Sequence, residues 1–238
     1  MGALFEELDY RVTPMGPISL RRRRVLSLGV DVIEVMLGDE HLMSSLFTEG
    51  EIALARLGLE AVEGDELSVV VGGLGLGYTA AAALEDARVR ELLVIDAMAA
   101  VIDWHRQGLA PLGQGLLADG RCRLVEGDFF ALAAAGRLDE TAPGRLFDAV
   151  LLDIDHSPRA LLSAAHGGFY AADGLRPLAA QLRPGGVFAM WSDEGPDPEF
   201  QTALGAVSAA QEARVVEFEN PLTGGASSCT IYVARTAF

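Results

Sequence analysis

Positive charge is what this sequence has least of: 18 Lys and Arg stand against 34 Asp and Glu, for a formal net charge of -16. Nucleic acid and anionic membrane surfaces both demand clustered cations that neutralise phosphates, so the balance argues against either as a partner, while a cationic small molecule is compatible with it. Cysteine is nearly missing. Cys122 and Cys229 both fall in expected strands, with no CxxC spacing and no metal-ligand cluster nearby. That leaves reduced structural thiols, no metal site and a cytoplasmic location as the expectation. No apolar run reaches the roughly 18 residues that cross a bilayer. No apolar h-region follows a basic start either, so a soluble, unprocessed chain is expected. The one basic run, Arg21 to Arg24, reads as a solvated loop or strand edge, or as a contact for the acidic surface of a second subunit.

What is present is apolar: half of the 238 residues, enough for the core of one α/β domain with a small appendage. The chain is organised around Val69-Val70-Val71-Gly72-Gly73-Leu74-Gly75-Leu76-Gly77-Tyr78-Thr79. An apolar run too short for a helix stops at alternating glycines and continues into the helix-forming Ala80 to Leu84, which reads as strand, glycine loop, helix. Gly73, Gly75 and Gly77 permit positive φ and close approach of a ligand to the main chain, or they only permit close strand-to-helix packing.

Before this loop, Tyr10–Val12, Ile18–Leu20 and Val30–Leu37 look extended, punctuated by Pro14, Gly16, Pro17 and Gly29. They predict a small β-hairpin or meander. Ser45 or Thr48 is placed to cap the next helix, with Glu51 at the third position after Thr48 as in a capping box. From residue 67 the pattern alternates. Strands are expected at 67–72, 91–95, 121–125, 147–153 and 185–191. Helices are expected near 77–87, 97–110, 128–136 and 159–182, the last broken around Gly167-Gly168 and Gly174, with Pro177 near a helix start. A helix over 198–211 and two final strands, 213–218 and 228–234, complete the chain. Five parallel strands plus an antiparallel hairpin make a Rossmann-like sheet with one ligand crevice at the strand ends. The expected division is an N-terminal unit and linking helix over 1–60 and a catalytic domain over 61–238.

Acids collect at those strand ends. Asp96 follows strand two, some twenty residues beyond the loop, where a carboxylate accepts both hydroxyls of a ribose or caps the next helix. Asp128, after strand three, is placed for the exocyclic amine of adenine or for capping, and Phe129 or Phe130 for covering the base or for the core. Strand four ends in Asp153-Ile154-Asp155-His156, two carboxylates and an imidazole over the crevice, of which capping explains one acid. For His156 the alternative is a loop histidine bonded to backbone. Trp191, Asp193 and Glu194 after strand five add an aromatic wall and further acids, or solvated loop acids, and Tyr170 is grouped with them on the acceptor side.

This order of glycine loop, Asp96, Gly127-Asp128, Asp153 and Leu182-Arg183-Pro184-Gly185-Gly186 resembles the class I S-adenosylmethionine-dependent transferases, and among them the spermidine synthase-like group. That group is similar in its small N-terminal β unit and in an aliphatic residue, here Val71, before the glycines. The resemblance implies a seven-stranded class I methyltransferase sheet. Gly73, Gly75 and Gly77 would hold the methionine-like part, Asp96 the ribose, Asp128 the adenine and Asp153 the acceptor amine. It also implies a homodimer or higher homo-oligomer.

The departures point to a changed reaction. Aminopropyltransferases carry an Asp in the glycine loop for the ammonium of decarboxylated S-adenosylmethionine, and Leu76 is read at that position. Their Tyr-His-Glu motif is replaced by Leu46-Phe47-Thr48-Glu49-Gly50-Glu51, and the Gln near the end of strand five by Trp191 or a neighbour. The leading expectation is therefore S-adenosylmethionine-dependent methyl transfer to a small amine-bearing acceptor, with Asp153 as base or orienting group and Asp155 and His156 behind it. Aminopropyl transfer from the decarboxylated donor is the alternative, with Asp155 as a substitute anchor. A non-catalytic adenosine-binding protein is a third reading.

Overall fold

The computed structural model describes residues 4–237. The chain opens as an antiparallel sheet of β1 (Phe5–Thr13), β2 (Gly16–Val25), β3 (Val30–Leu37) and β4 (Glu40–Ser44), in that spatial order. Ile18 and Leu20 of β2 stand opposite Leu37 and Val35 of β3, and these four alternate onto its buried face, the period-two pattern of a half-buried sheet. This is the expected meander, with β4 as a strand its sequence does not predict and the arginine run inside β2. Arg23 pairs with Glu34 at 2.6 Å, Arg24 with Asp31 at 3.1 Å and Arg22 with Glu6. Three of the four guanidinium groups thus have partners inside their own sheet. Helix α1 (Glu49–Glu60) follows, with Leu54, Ala55 and Leu59 buried. Gly58 lets it lie against Leu151 and Ala189 of the second sheet.

The second sheet is built from β5 (Leu67–Gly72), α2 (Tyr78–Glu85), β6 (Val89–Asp96), α3 (Ala99–Arg106), α4 (Gly113–Ala118), β7 (Cys122–Glu126), α5 (Phe129–Ala134) and β8 (Phe147–Leu152). A 3-10 segment (Ala164–Tyr170), α6 (Ala172–Ala179), β9 (Leu182–Ser192), α7 (Pro198–Gly205), β10 (Ala210–Asn220) and β11 (Gly225–Arg235) complete it. Its order is β10-β11-β9-β8-β5-β6-β7. β5 to β9 run parallel, and β11 is antiparallel to both β9 and β10. This is the expected Rossmann-like sheet. Every residue of β5 is buried, as required of a central strand covered by helices on both faces. The winding reverses beside β5, between β8 and β6, so the crevice opens at the carboxyl ends of these three strands.

Local differences from the sequence reading lie in the connections. The helix expected over 159–182 is reduced to the 3-10 segment and α6, and Pro177 stands late in α6 rather than near a start. The helix expected over 97–110 ends at Arg106, and α4 forms separately. The last helix stops at Gly205, β10 begins three residues early, and β9 already starts at Leu182.

Candidate active site

The glycine loop leaves β5 with Gly73, Gly75 and Gly77 at φ of 93°, 48° and 95°. A Cβ on Gly73 would run into the carbonyl oxygen of Asp153, and one on Gly75 into the sulfur of Met43. Close approach is thus required at both positions, between the loop and β8 and between the loop and β4. Four of the loop's donors are engaged. Gly73 N–H donates to Ile95 O at 2.8 Å, Leu74 N–H to Asp96 Oδ2 at 2.9 Å, Leu76 N–H to Met43 Sδ at 3.0 Å and Gly77 N–H to Leu74 O at 2.8 Å. Asp96 also accepts from Met98 N–H at 2.8 Å. Burial raises its pKa, and these backbone donors oppose that rise. Asp96 therefore ties the loop to the start of α3 while its carboxylate lines the crevice.

The crevice is a cavity of about 490 Å³. Its ionisable lining comprises Glu51, Asp96, Asp128, Asp153 and Asp193 with His41, His156 and His166, and it contains no Arg or Lys among the described residues. Thr79 Oγ1 donates to Asp153 Oδ2 at 2.7 Å and fixes that carboxylate. Burial raises both Asp153 and Glu51, and Glu51 is raised further by the charge of Asp153. The two therefore titrate as a pair in which one carboxyl holds its proton well above the ordinary carboxylate range. Tyr78 and Trp191 also line the cavity, and Gly50 leaves room for the Trp191 indole against Cys229.

The structure brings Gly73, Gly75, Asp96, Asp128, Phe129, Asp153, His156, Trp191 and Asp193 to this one cavity. Asp128 also caps α5 through Ala131 N–H at 3.1 Å, and His156 Nε2 lies 3.1 Å from Glu40. The other sequence candidates lie off the wall. Gly77 packs against His105 and Leu116 at the start of α2. Glu194 is exposed, and its carbonyl accepts from Thr230. Asp155 is turned inward, where Tyr170 O–H donates to it at 2.7 Å and Leu162 N–H at 2.8 Å, so Tyr170 is held there as well.

Glu51, Thr79, Met43 and His166 are wall or support residues that the sequence reading did not assign to the site. For Glu51 the signal was present but read as a capping box. Thr48 makes no side-chain cap, and Glu49 accepts its N–H at 2.9 Å instead. Leu76, read at the loop position of an ammonium anchor, is fully buried in the core, and Gly73, Leu74 and Gly75 are the loop residues that border the cavity.

No family model matches the sequence. Among solved structures, the chain is similar to a spermidine synthase crystallised with the transition state analogue AdoDATO, with a TM-score of 0.73 and 17% identity over 97% of this chain and 74% of that one. It is likewise similar to the spermidine synthase from Thermotoga maritima, with a TM-score of 0.70 and 14% identity over 97% of this chain and 72% of that one. The seven-stranded sheet, the N-terminal antiparallel unit and these two likenesses together give the chain a spermidine synthase-like fold.

Proposed function

We propose that this chain is a transferase of the aminopropyl type, moving that group from decarboxylated S-adenosylmethionine to a small cationic amine. One observation carries the reading: a cavity with five carboxylates and no Arg or Lys, beside a glycine loop four of whose N–H groups are already engaged. The carboxylate of ordinary S-adenosylmethionine would enter that field with no Arg or Lys to meet it. The decarboxylated donor and an ammonium-bearing acceptor bring only positive charge. Methyl transfer is favoured in the sequence by three departures, Leu76 in place of an anchoring Asp, the absent Tyr-His-Glu motif and Trp191 or a neighbour in place of Gln, and the first of these does not bear on the cavity. With Leu76 in the core, Glu51 and Asp153 are the acids available to an ammonium. The likeness to a spermidine synthase that binds AdoDATO supports a donor of this kind.

In this reading the nucleoside lies along the glycine loop, Asp96 and Phe129, and the acceptor lies between Asp153, Glu51 and Trp191. The attacking amine must be neutral, although it arrives protonated. Asp153, raised by burial, is a stronger base than an exposed carboxylate and is oriented by Thr79. It is suited to accept that proton while the acidic wall holds the distal ammonium. The test is to incubate the protein with either donor and a panel of diamines. Methylthioadenosine release from the decarboxylated donor alone is expected. S-adenosylhomocysteine release from the ordinary donor would restore methyl transfer, and donor binding without either product would leave a non-catalytic binding protein.

A further inference from the structure

Asp155, the second acid of the Asp153-Ile154-Asp155-His156 stretch, is 3% exposed and accepts three hydrogen bonds. Besides those from Leu162 N–H and Tyr170 O–H, its two oxygens lie 2.9 and 3.0 Å from Nδ1 of His166. Burial and the Asp155 charge both keep the Tyr170 phenol protonated. Tyr170 thus acts as donor and the carboxylate as acceptor, which assigns a proton to His166 Nδ1. The tautomer so fixed leaves the lone pair of the neutral ring on Nε2. That nitrogen has no hydrogen-bond partner among the described residues, and the residue lines the cavity. The ring is held flat by Phe130, stacked at 3.9 Å between centroids and 24° between planes.

The location indicates what this imidazole meets. Phe130 and Asp128 follow β7, the strand beyond β6, so His166 stands past the ribose-side acid Asp96 and away from the Trp191 end. In a doubly wound sheet a nucleoside laid across the switch point puts its base on that side. We propose that His166, fixed by Asp155 and Tyr170, is a specificity-determining residue that reads the nucleobase: Nε2 accepts the exocyclic amine of a 6-aminopurine, with Asp128 as a second acceptor. A 6-oxopurine brings a carbonyl to the same two acceptors and is rejected. The proposal rests on the reading of the cavity as an adenosyl-donor site.

The experiment uses methylthioadenosine and methylthioinosine, identical except at position 6 of the base, as calorimetric probes of the whole protein. Wild type should bind the adenine compound at least about 10-fold more tightly, the discrimination that one or two unmatched hydrogen bonds provide. His166→Asn keeps a side-chain donor near Asp155 but lacks Nε2. It should lose most of that preference by weakening the adenine compound alone, whereas a merely structural role would weaken both probes together. Should the variant not fold, the imidazole ¹⁵N spectrum of wild type decides: a protonated Nδ1 and an Nε2 resonance that moves on adding methylthioadenosine are expected. Equal affinity for the two probes, a preference for the inosine compound, or an unmoved Nε2 resonance in saturating methylthioadenosine would overturn the role of His166 while leaving the donor site standing. Failure of wild type to bind any adenosyl probe would remove the donor-site reading and this proposal together.

Discussion

Glu51 occupies the position at which a capping-box glutamate would reach back to Thr48, and nothing local in the sequence distinguishes that use from the one observed. Glu51 instead lines the cavity with Asp153, 102 residues away in the chain, and burial first, then the charge of Asp153, raises it. The sign of the consequence is fixed. Below the ordinary carboxylate range Glu51 is protonated in both folded and unfolded chain. As pH rises the unfolded chain loses its proton first, so stability falls until the raised folded-state pKa is passed. Glu51→Gln should therefore match wild type in urea unfolding near pH 4.5 and exceed it by about 1–2 kcal/mol near pH 8. A variant less stable than wild type at pH 8 would contradict a raised Glu51. Asp153→Asn is expected to keep the Thr79 contact and donor affinity while single-turnover transfer drops by roughly 10²–10⁴-fold. Asp153 was legible because a strand of known period ends there. The inward turn of Asp155 was not, because it depends on Tyr170 and Leu162 arriving through an irregular segment.

Among the elements, the unit of β5, glycine loop and α2 was the most readable, since a continuous apolar run, positive-φ glycines and an alanine-rich helix all indicate the same structure. The stretch after β8 was the least. Gly167-Gly168 and Gly174 signalled a break without saying what lay on either side, and only packing of Phe169 and Tyr170 into the core, each 7% exposed, selects a 3-10 turn. The loop's geometry can be tested by graded substitution. Gly73→Ala combines φ of +93° with a collision against the Asp153 backbone and should cost about 3 kcal/mol or more. Gly144→Ala, at φ of +81° with open space around it, should cost only about 1 kcal/mol. Gly75→Ala meets a flexible methionine and should fall between them. Equal midpoint shifts for all three in denaturant unfolding would mean that backbone dihedral alone, and not the close approach to β8, makes Gly73 necessary.

At the scale of the whole molecule the charge of -16 and the acidic cavity act together. A cationic acceptor should be drawn in by a field that salt screens, so the KM for a diamine should rise severalfold between 0.02 and 0.5 M salt (order-of-magnitude bounds), with kcat little changed. A salt-independent KM would place recognition in short contacts alone. The seven-stranded sheet was read from strand spacing, but the four-stranded unit before it was read too small, because Glu40 to Ser44 carry no β-branched residue and pair through an irregular register. That strand supplies His41, Leu42, Met43 and Ser44 to the cavity, and its Met43 sulfur accepts the Leu76 N–H of the glycine loop. The N-terminal sheet and the glycine loop are therefore thermodynamically linked. A nucleoside that quiets the loop must also slow amide hydrogen exchange along β4 and its partner β3, whereas β1, anchored separately to α3 through Asp9–Trp104 and Arg11–Asp103, should respond less.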